Sequence, residues 1–447
     1  MVMTSPLVTE TSPVGATVTA LVAGMQVLTV PRVGDSMCAM LFVAVGSRYE
    51  TRSTSGVAHM LEHLFFSGTE RRPSLRAIAT EIDSWGCRFN ALTEYEYTAY
   101  FIHGGSEYVD RAVELLADLI RNAVLPEADI ERERRVVLAE LRSREDNPRQ
   151  LSRLLANRAL YGDRPMGWET VGFPDVIVRL NRDDLMAFRR AMYRPDRMIL
   201  AIAGPVHPDD VLALARRYFE TRSPDSVPAG HLVRPERGIY VPPANLAAYR
   251  DSSLAHLWLA LPGPTYGRTE REMMAARLMN AVFGSSMSSR LFSSVRDRQG
   301  LCYSIRSTLD PVSDVGAFLV GTSVLPGRAA ALLRSVTAEM AQMVSDGPTP
   351  EEMRKARAIV VGTSVLEREN ASALARLSAF ELMQLGRMRT QKEVKDLADS
   401  ITAAEVGAAA GRYLDPAALR CVLVGPAEAQ SALAGTGCLP SSRWITV

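Results

Sequence analysis

Cysteine is scarce and scattered through this chain: five residues, at positions 38, 87, 302, 421 and 438, with no C-x-x-C spacing among them. An odd count so dispersed argues against a full disulfide framework and for a reducing, cytoplasmic compartment. Long apolar runs are missing too. Stretches such as 199–203 and 421–424 are strand-sized, far short of the roughly 20 residues of a spanning helix, so no membrane partner is expected. Net charge is almost absent: 51 Lys and Arg stand against 50 Asp and Glu, for a formal +1. That balance offers nucleic acid no long-range attraction. The first 15 residues have neither a basic start nor an apolar stretch, so no secretory or mitochondrial leader is expected.

What remains is an ordinary folded composition, 47% hydrophobic and 23% charged, on 447 residues. That length exceeds one core and suits two domains. An internal repeat agrees. Tyr193-Arg194-Pro195-Asp196 leads through an apolar run to Gly204-Pro205, and Tyr413-Leu414-Asp415-Pro416 leads through another to Gly425-Pro426. Each copy follows a helical stretch, and a separation of about 220 residues implies two similar α+β halves. The expected division is 1–220 and 237–447, joined by a Ser/Pro-rich linker over 221–236.

Of only six histidines, two fall in one short segment, Gly56-Val57-Ala58-His59-Met60-Leu61-Glu62-His63-Leu64-Phe65-Phe66. On a helix His59 and His63 share a face, with Glu62 nearly on the same side. Two imidazoles to ligate and a carboxylate to take a proton from water are what hydrolytic zinc requires. The order H-x-x-E-H inverts the commoner H-E-x-x-H and is the inverzincin signature. Met60, Leu61, Leu64 and Phe65 are left to fill the opposite side. A further ligand must come from another element. The candidate stretch is 131–141, where Glu133 and Glu140 lie two helical turns apart and Val136, Val137 and Leu141 supply an apolar side.

The remaining pattern reads as strands over 17–22, 26–30 and 37–45, then the His-bearing helix and a second helix over 73–85. Paired strands over 89–93 and 95–102 follow, then helices over 107–123, 127–144 and 151–160. A helix over 183–191 and a strand over 198–203 close the first half. In the second half a helix is expected to open near Gly284 and end near Gly300, before a strand over 301–305. No H-x-x-E-H occurs there; His256 sits in an alternating strand pattern, and His103, His207 and His231 are isolated. One zinc ion per chain is the resulting expectation.

With these motifs in view, the chain resembles the pitrilysin-type zinc peptidases, within the half-length branch that includes the mitochondrial processing peptidases and their bacterial relatives. The resemblance spans about residues 20–430 and is strongest over 45–145 and 280–320. It implies an α+β fold of two homologous domains, each an antiparallel or mixed sheet packed against helices. It implies Zn2+ held by His59, His63 and Glu140, the last 77 positions beyond His63, with Glu62 as general base and Glu133 steadying a ligand. Asn90, Ala91 and Thr93 match a pattern on an edge strand that receives substrate by strand addition; a plain hairpin is the alternative reading of those residues. Arg296 and Tyr303, seven apart, match a pair that reaches the zinc site from the facing domain, Arg to substrate carbonyls and Tyr to the oxyanion.

Two departures stand out. Arg164-Pro165 occupies a loop where relatives often carry a histidine, and the glycine-rich loop of the non-catalytic processing subunit is absent. The expected activity is zinc-dependent endopeptidase action on peptides or unfolded leader segments. The alternatives are a zinc-bearing subunit active only beside a partner chain, and a non-enzymatic scaffold. Because both the zinc residues and the Arg/Tyr pair are present, a homodimer is expected, with a heterodimer with a related chain as the alternative.

Overall fold

The structure, a computed structural model, describes residues 10–11, 15–220 and 235–447. The strands are β1 (Glu10–Thr11), β2 (Thr17–Ala20), β3 (Gln26–Pro31), β4 (Ser36–Val43), β5 (Arg88–Thr93), β6 (Thr98–Gly105) and β7 (Met198–Gly204) in the first half. The second half has β8 (Asn245–Tyr249), β9 (Ala255–Pro262), β10 (Cys302–Pro311), β11 (Gly316–Val324), β12 (Arg420–Gly425) and β13 (Trp444–Thr446). The helices up to the stretch 221–234 are α1 (Val57–Phe65), α2 (Leu75–Ser84), α3 (Val109–Asn122), α4 (Glu127–Asp146), α5 (Pro148–Tyr161), α6 (Pro174–Ile177), α7 (Arg182–Met192) and α8 (Pro208–Phe219). After it come α9 (Glu270–Phe283), α10 (Ala329–Asp346), α11 (Pro350–Leu366), α12 (Ala371–Leu385), α13 (Gln391–Ser400), α14 (Ala403–Tyr413) and α15 (Ala427–Ala434).

The strands form two mixed sheets, ordered β1-β2-β3-β7-β4-β6-β5 and β10-β11-β9-β12-β8-β13. Reading β3-β7-β4-β6-β5 beside β8-β12-β9-β11-β10 gives the same path twice. The first pair of each is parallel and the rest are antiparallel. The sequence repeat falls on the matching strands β7 and β12. The helices before them start alike: the Asn181 side chain caps α7 in a capping box with Asp184, and Thr402 caps α14 with Glu405.

The run Ser36–Val43 is almost wholly apolar because β4 is covered on both faces. Met37, Ala39, Leu41 and Val43 join the core with α1 and α3, while Cys38, Met40 and Phe42 join a second core with Ala371, Ala375, Ala379 and Leu382 of α12. The chain accordingly forms two compact units that do not follow a single cut. One comprises residues 1–141, 169–236 and 366–390, the other 142–168, 237–365 and 391–447. Helix α5 lies on β9 and β12 in the second unit, and α12 lies on β4 and β7 in the first. The boundaries 1–220 and 237–447 therefore do not reproduce the units. An amphipathic pattern marks a face for burial without saying which sheet buries it. Most of the expected linker, residues 221–234, lies outside the described residues.

Smaller differences follow from packing. Val136, expected on the buried side of α4, is 46% exposed; Ile130, Arg134, Val137 and Leu141 are the buried positions. The helix expected from near Gly284 to near Gly300 starts later, at Arg290, and is π-helical over Phe292–Arg298. The strand after it runs on to Pro311, with an irregularity in its pairing between Cys302 and Ile305.

Candidate metal centre

Helix α1 has two and a half turns, and of its residues only Glu62 and His63 are half-buried rather than buried. Met60, Leu61, Leu64 and Phe65 are fully buried, which leaves His59, Glu62 and His63 on the other side. Helix α4 brings its own stripe to the same place. His59 Nε2 lies 3.7 Å and His63 Nε2 3.9 Å from Glu140 Oε2. The ligand atoms of the three residues all lie within 4.8 Å of one another. In a tetrahedral site with zinc–ligand bonds of about 2.0–2.1 Å, ligand atoms sit roughly 3.3 Å apart. The separations found, 3.7 and 3.9 Å to Glu140 and at most 4.8 Å overall, are wider than that, but two imidazole nitrogens and one carboxylate oxygen are a donor set suited to zinc, and three donors leave a fourth position for water or substrate.

Glu133, two turns before Glu140, stands behind the pair: its Oε2 is 3.2 Å from His63 Nδ1. That contact leaves Nε2 facing Glu140, the tautomer a metal ligand needs. The electrostatics match. Burial alone would lower the His63 imidazole, but the carboxylates of Glu133, Glu62 and Glu140 raise it overall. The hydrogen bond from His63, then the neighbouring Arg132, hold Glu133 below the usual carboxylate range despite its burial.

Glu62 turns toward the sheet. Thr93 Oγ1 donates to Glu62 Oε2 at 2.5 Å, tying the carboxylate to the last residue of β5. β5 is the outer strand of its sheet among the described residues, paired only to β6. Ala91 and Thr93 are half-buried, and Asn90 is exposed with its Oδ1 accepting from the Ala91 N–H. Seven of the expected site residues besides Glu62 thus belong to the first unit: His59, His63, Glu133, Glu140, Asn90, Ala91 and Thr93. Arg296 and Tyr303 belong to the second. There Arg296 lies over the Phe292 ring, 4.9 Å from its centroid, and Tyr303 is 90% exposed.

The loop around Arg164-Pro165 folds as a short 3₁₀ turn, with the Trp168 indole N–H donating to Asp163 at 2.7 Å. What sequence reasoning missed is the support at the start of α1, from Glu50, Gly172 and Arg134. Arg134 donates to the carbonyls of Ile177 and Leu180, fastening α4 to the end of α6 and the segment after it. The available signal was Gly56 standing where a helix usually has a capping side chain.

A twice-repeated sheet-and-helix unit with an inverted His/Glu motif in the first copy defines a class, the inverzincin-type peptidases. Residues 27–172 match the family described as Insulinase (Peptidase family M16), and residues 179–360 match the one described as Peptidase M16 inactive domain. An uncharacterized zinc protease of Mycobacterium leprae is 33% identical over 404 residues, 89% of each chain. The uncharacterized zinc protease YmxG of Bacillus subtilis is 29% identical over 355 residues, 79% of this chain and 84% of that one. A protease from Helicobacter pylori shares the fold with a TM-score of 0.84 at 23% identity, over 92% of this chain and 99% of that one. The chain belongs to peptidase family M16, in its half-length, pitrilysin-type branch.

Proposed function

We propose that this chain is a zinc-dependent endopeptidase acting on peptides or unfolded leader segments. The observation that carries the reading is the convergence of His59, His63 and Glu140 beside a Glu62 anchored to an edge strand. When bound, zinc supplies Lewis acidity, acidifying water and polarising the scissile carbonyl. Glu62 takes the proton from the attacking water and returns it to the leaving amine. Glu133 holds His63 in the ligating tautomer. A substrate segment adds alongside β5 through backbone hydrogen bonds, which makes recognition largely indifferent to side chains and restricts it to extended chains.

Arg296 and Tyr303 complete the reading: Tyr303 donates to the developing oxyanion and Arg296 holds a substrate carbonyl. A chain that carries both sets of residues can form two sites in a homodimer, each served by the Arg/Tyr pair of the other copy. The test of the main reading is zinc content and digestion together. Protein purified without added metal should carry close to one zinc per chain and cut an unstructured peptide library. Less than about 0.2 zinc per chain, or preference for a large folded substrate over its own peptides, would overturn it.

A further inference from the structure

Helix α1 starts without a cap of its own. The residue at the N-cap position is Gly56, in the left-handed region at φ 94°, and it has no side chain to accept from the orphan N–H groups that follow. No larger residue fits there. A Cβ on Gly56 would lie 2.5 Å from both the Val171 carbonyl oxygen and Ile177 Cδ1. Gly172, at φ 97°, abuts it so closely that its own Cβ would lie 2.5 Å from Gly56 Cα. The Ser, Thr, Asp or Asn that commonly caps a helix is excluded by space as well as by backbone conformation.

The acceptor comes from six residues upstream. Glu50 is 5% exposed, and its two carboxyl oxygens divide the task. Oε2 accepts from the Gly56 N–H and Oε1 from the Ala58 N–H, each at 2.8 Å. The first bond within the helix, from Met60 N–H to the Gly56 carbonyl at 2.9 Å, begins only after these two. The segment that carries Glu50 is itself pinned. Ser47 N–H donates to the Glu94 carbonyl and Arg48 N–H to that of Tyr95, and the buried Arg48 guanidinium pairs with Glu96 at 2.7 Å.

We propose that Glu50 is a positioning residue of the metal centre: by holding the Gly56 and Ala58 N–H groups it fixes the first turn of α1 and so the direction of His59. The inference rests on the zinc reading above. His59 is the third residue of α1, directly after Ala58, so rotation or fraying of that turn moves its Nε2 away from Glu140. The apolar contacts of Met60, Leu61, Leu64 and Phe65 resist separation from the core. They resist a small rotation of so short a helix much less, whereas two directed hydrogen bonds at its start resist it strongly. Neutral or charged, both carboxyl oxygens keep lone pairs for the N–H groups; an amide has only one such atom.

The test substitutes Glu50→Gln in the full-length chain and measures Zn2+ affinity by chelator competition and the visible absorption of the Co2+-loaded protein. Zinc affinity should fall about 10- to 100-fold, the range typical for losing a group that orients a ligand, with the Co2+ bands shifted and far-ultraviolet circular dichroism unchanged. Glu381→Gln is the comparison. Glu381 is also buried on backbone and guanidinium donors, those of Arg389, but sits on α12; this variant should lose thermal stability and keep its zinc affinity. A folded Glu50→Gln within twofold of the parent in zinc affinity would overturn the inference while leaving the zinc reading intact. A parent chain that binds no zinc would overturn both. If the variant does not fold, hydrogen exchange on the metal-free parent decides. Gly56 and Ala58 amides as protected as Met60 would support the role, and exchange at the rate of exposed amides would overturn it.

Discussion

Glu62 and Glu140 are both glutamates whose charge acts on His63, yet substitution should separate them. Glu62→Gln should keep its zinc and lose about 10²- to 10⁴-fold in peptide turnover, the usual contribution of a proton-transfer group. Zinc analysis beside the rate is the check, and near-parental turnover would remove Glu62 as the base. Glu140→Ala should lose the metal itself; full zinc occupancy in that variant would mean another group is the third ligand. Glu50 makes a different prediction. Burial pushes its carboxyl up to about 8, outweighing the opposing effect of its two N–H partners. A value raised on folding means that the folded chain holds an extra proton between the ordinary carboxylate range and about pH 8. The contribution of this group to stability therefore declines as pH rises through that window. Urea unfolding of the metal-free protein at pH 5 and pH 8 should show a smaller loss in Glu50→Gln than in the parent. Equal losses would mean the group does not titrate in this way.

The elements differ in how much of them could be read ahead. The spacing of His59, Glu62 and His63 was legible because one helix face carries all three. Spacing put Glu133 and Glu140 on one face of another helix, and only the family resemblance singled them out as candidates. The cap of α1 was not. It joins Glu50 to two N–H groups across a turn whose shape depends on Gly56 meeting Gly172, a contact between segments more than 110 residues apart. The exchange of α5 and α12 was hidden for a related reason: periodicity gives a helix its buried side and says nothing of its partner. The link between α1 and the edge strand is testable at this scale. Thr93→Val keeps the shape of β5 and removes the hydroxyl donated to Glu62. Losing a hydrogen bond to a charged group costs about 1.5–3 kcal/mol, so kcat/KM should fall roughly 10- to 100-fold with zinc retained. An unchanged rate would show that Glu62 needs no support from β5.

At the scale of the molecule, the proposed homodimer can be tested by complementation. Glu62→Gln and Tyr303→Phe chains, each weak alone, should regain activity when mixed under conditions of subunit exchange, because one site of the mixed dimer then has an intact Glu62 and an intact Tyr303. No recovery despite demonstrated exchange would place Tyr303 with its own chain's site or outside catalysis. The exchanged helices set a second condition. Replacing the buried Ala375 and Ala379 of α12 by Asp removes the cover of Met40, Phe42 and Ala201 on one face of the first sheet while leaving the second sheet's strands in the chain. This variant should bind a hydrophobic dye and unfold less cooperatively than the parent, and sharp unfolding without dye binding would show that the sheet tolerates a bare face.

The same arrangement imposes an order on biosynthesis. All three zinc-ligand candidates and every strand of the first sheet have been made by residue 204, but the helix that covers the far side of that sheet begins at Ala371. At about 5–20 residues per second on the ribosome, the nascent chain carries an uncovered apolar sheet for roughly 10–30 s. In that interval the ligands are present while the fold that must hold them apart at the right spacing is unfinished. A holdase that shields the sheet until α12 emerges would therefore raise the yield of active protein more than added zinc would.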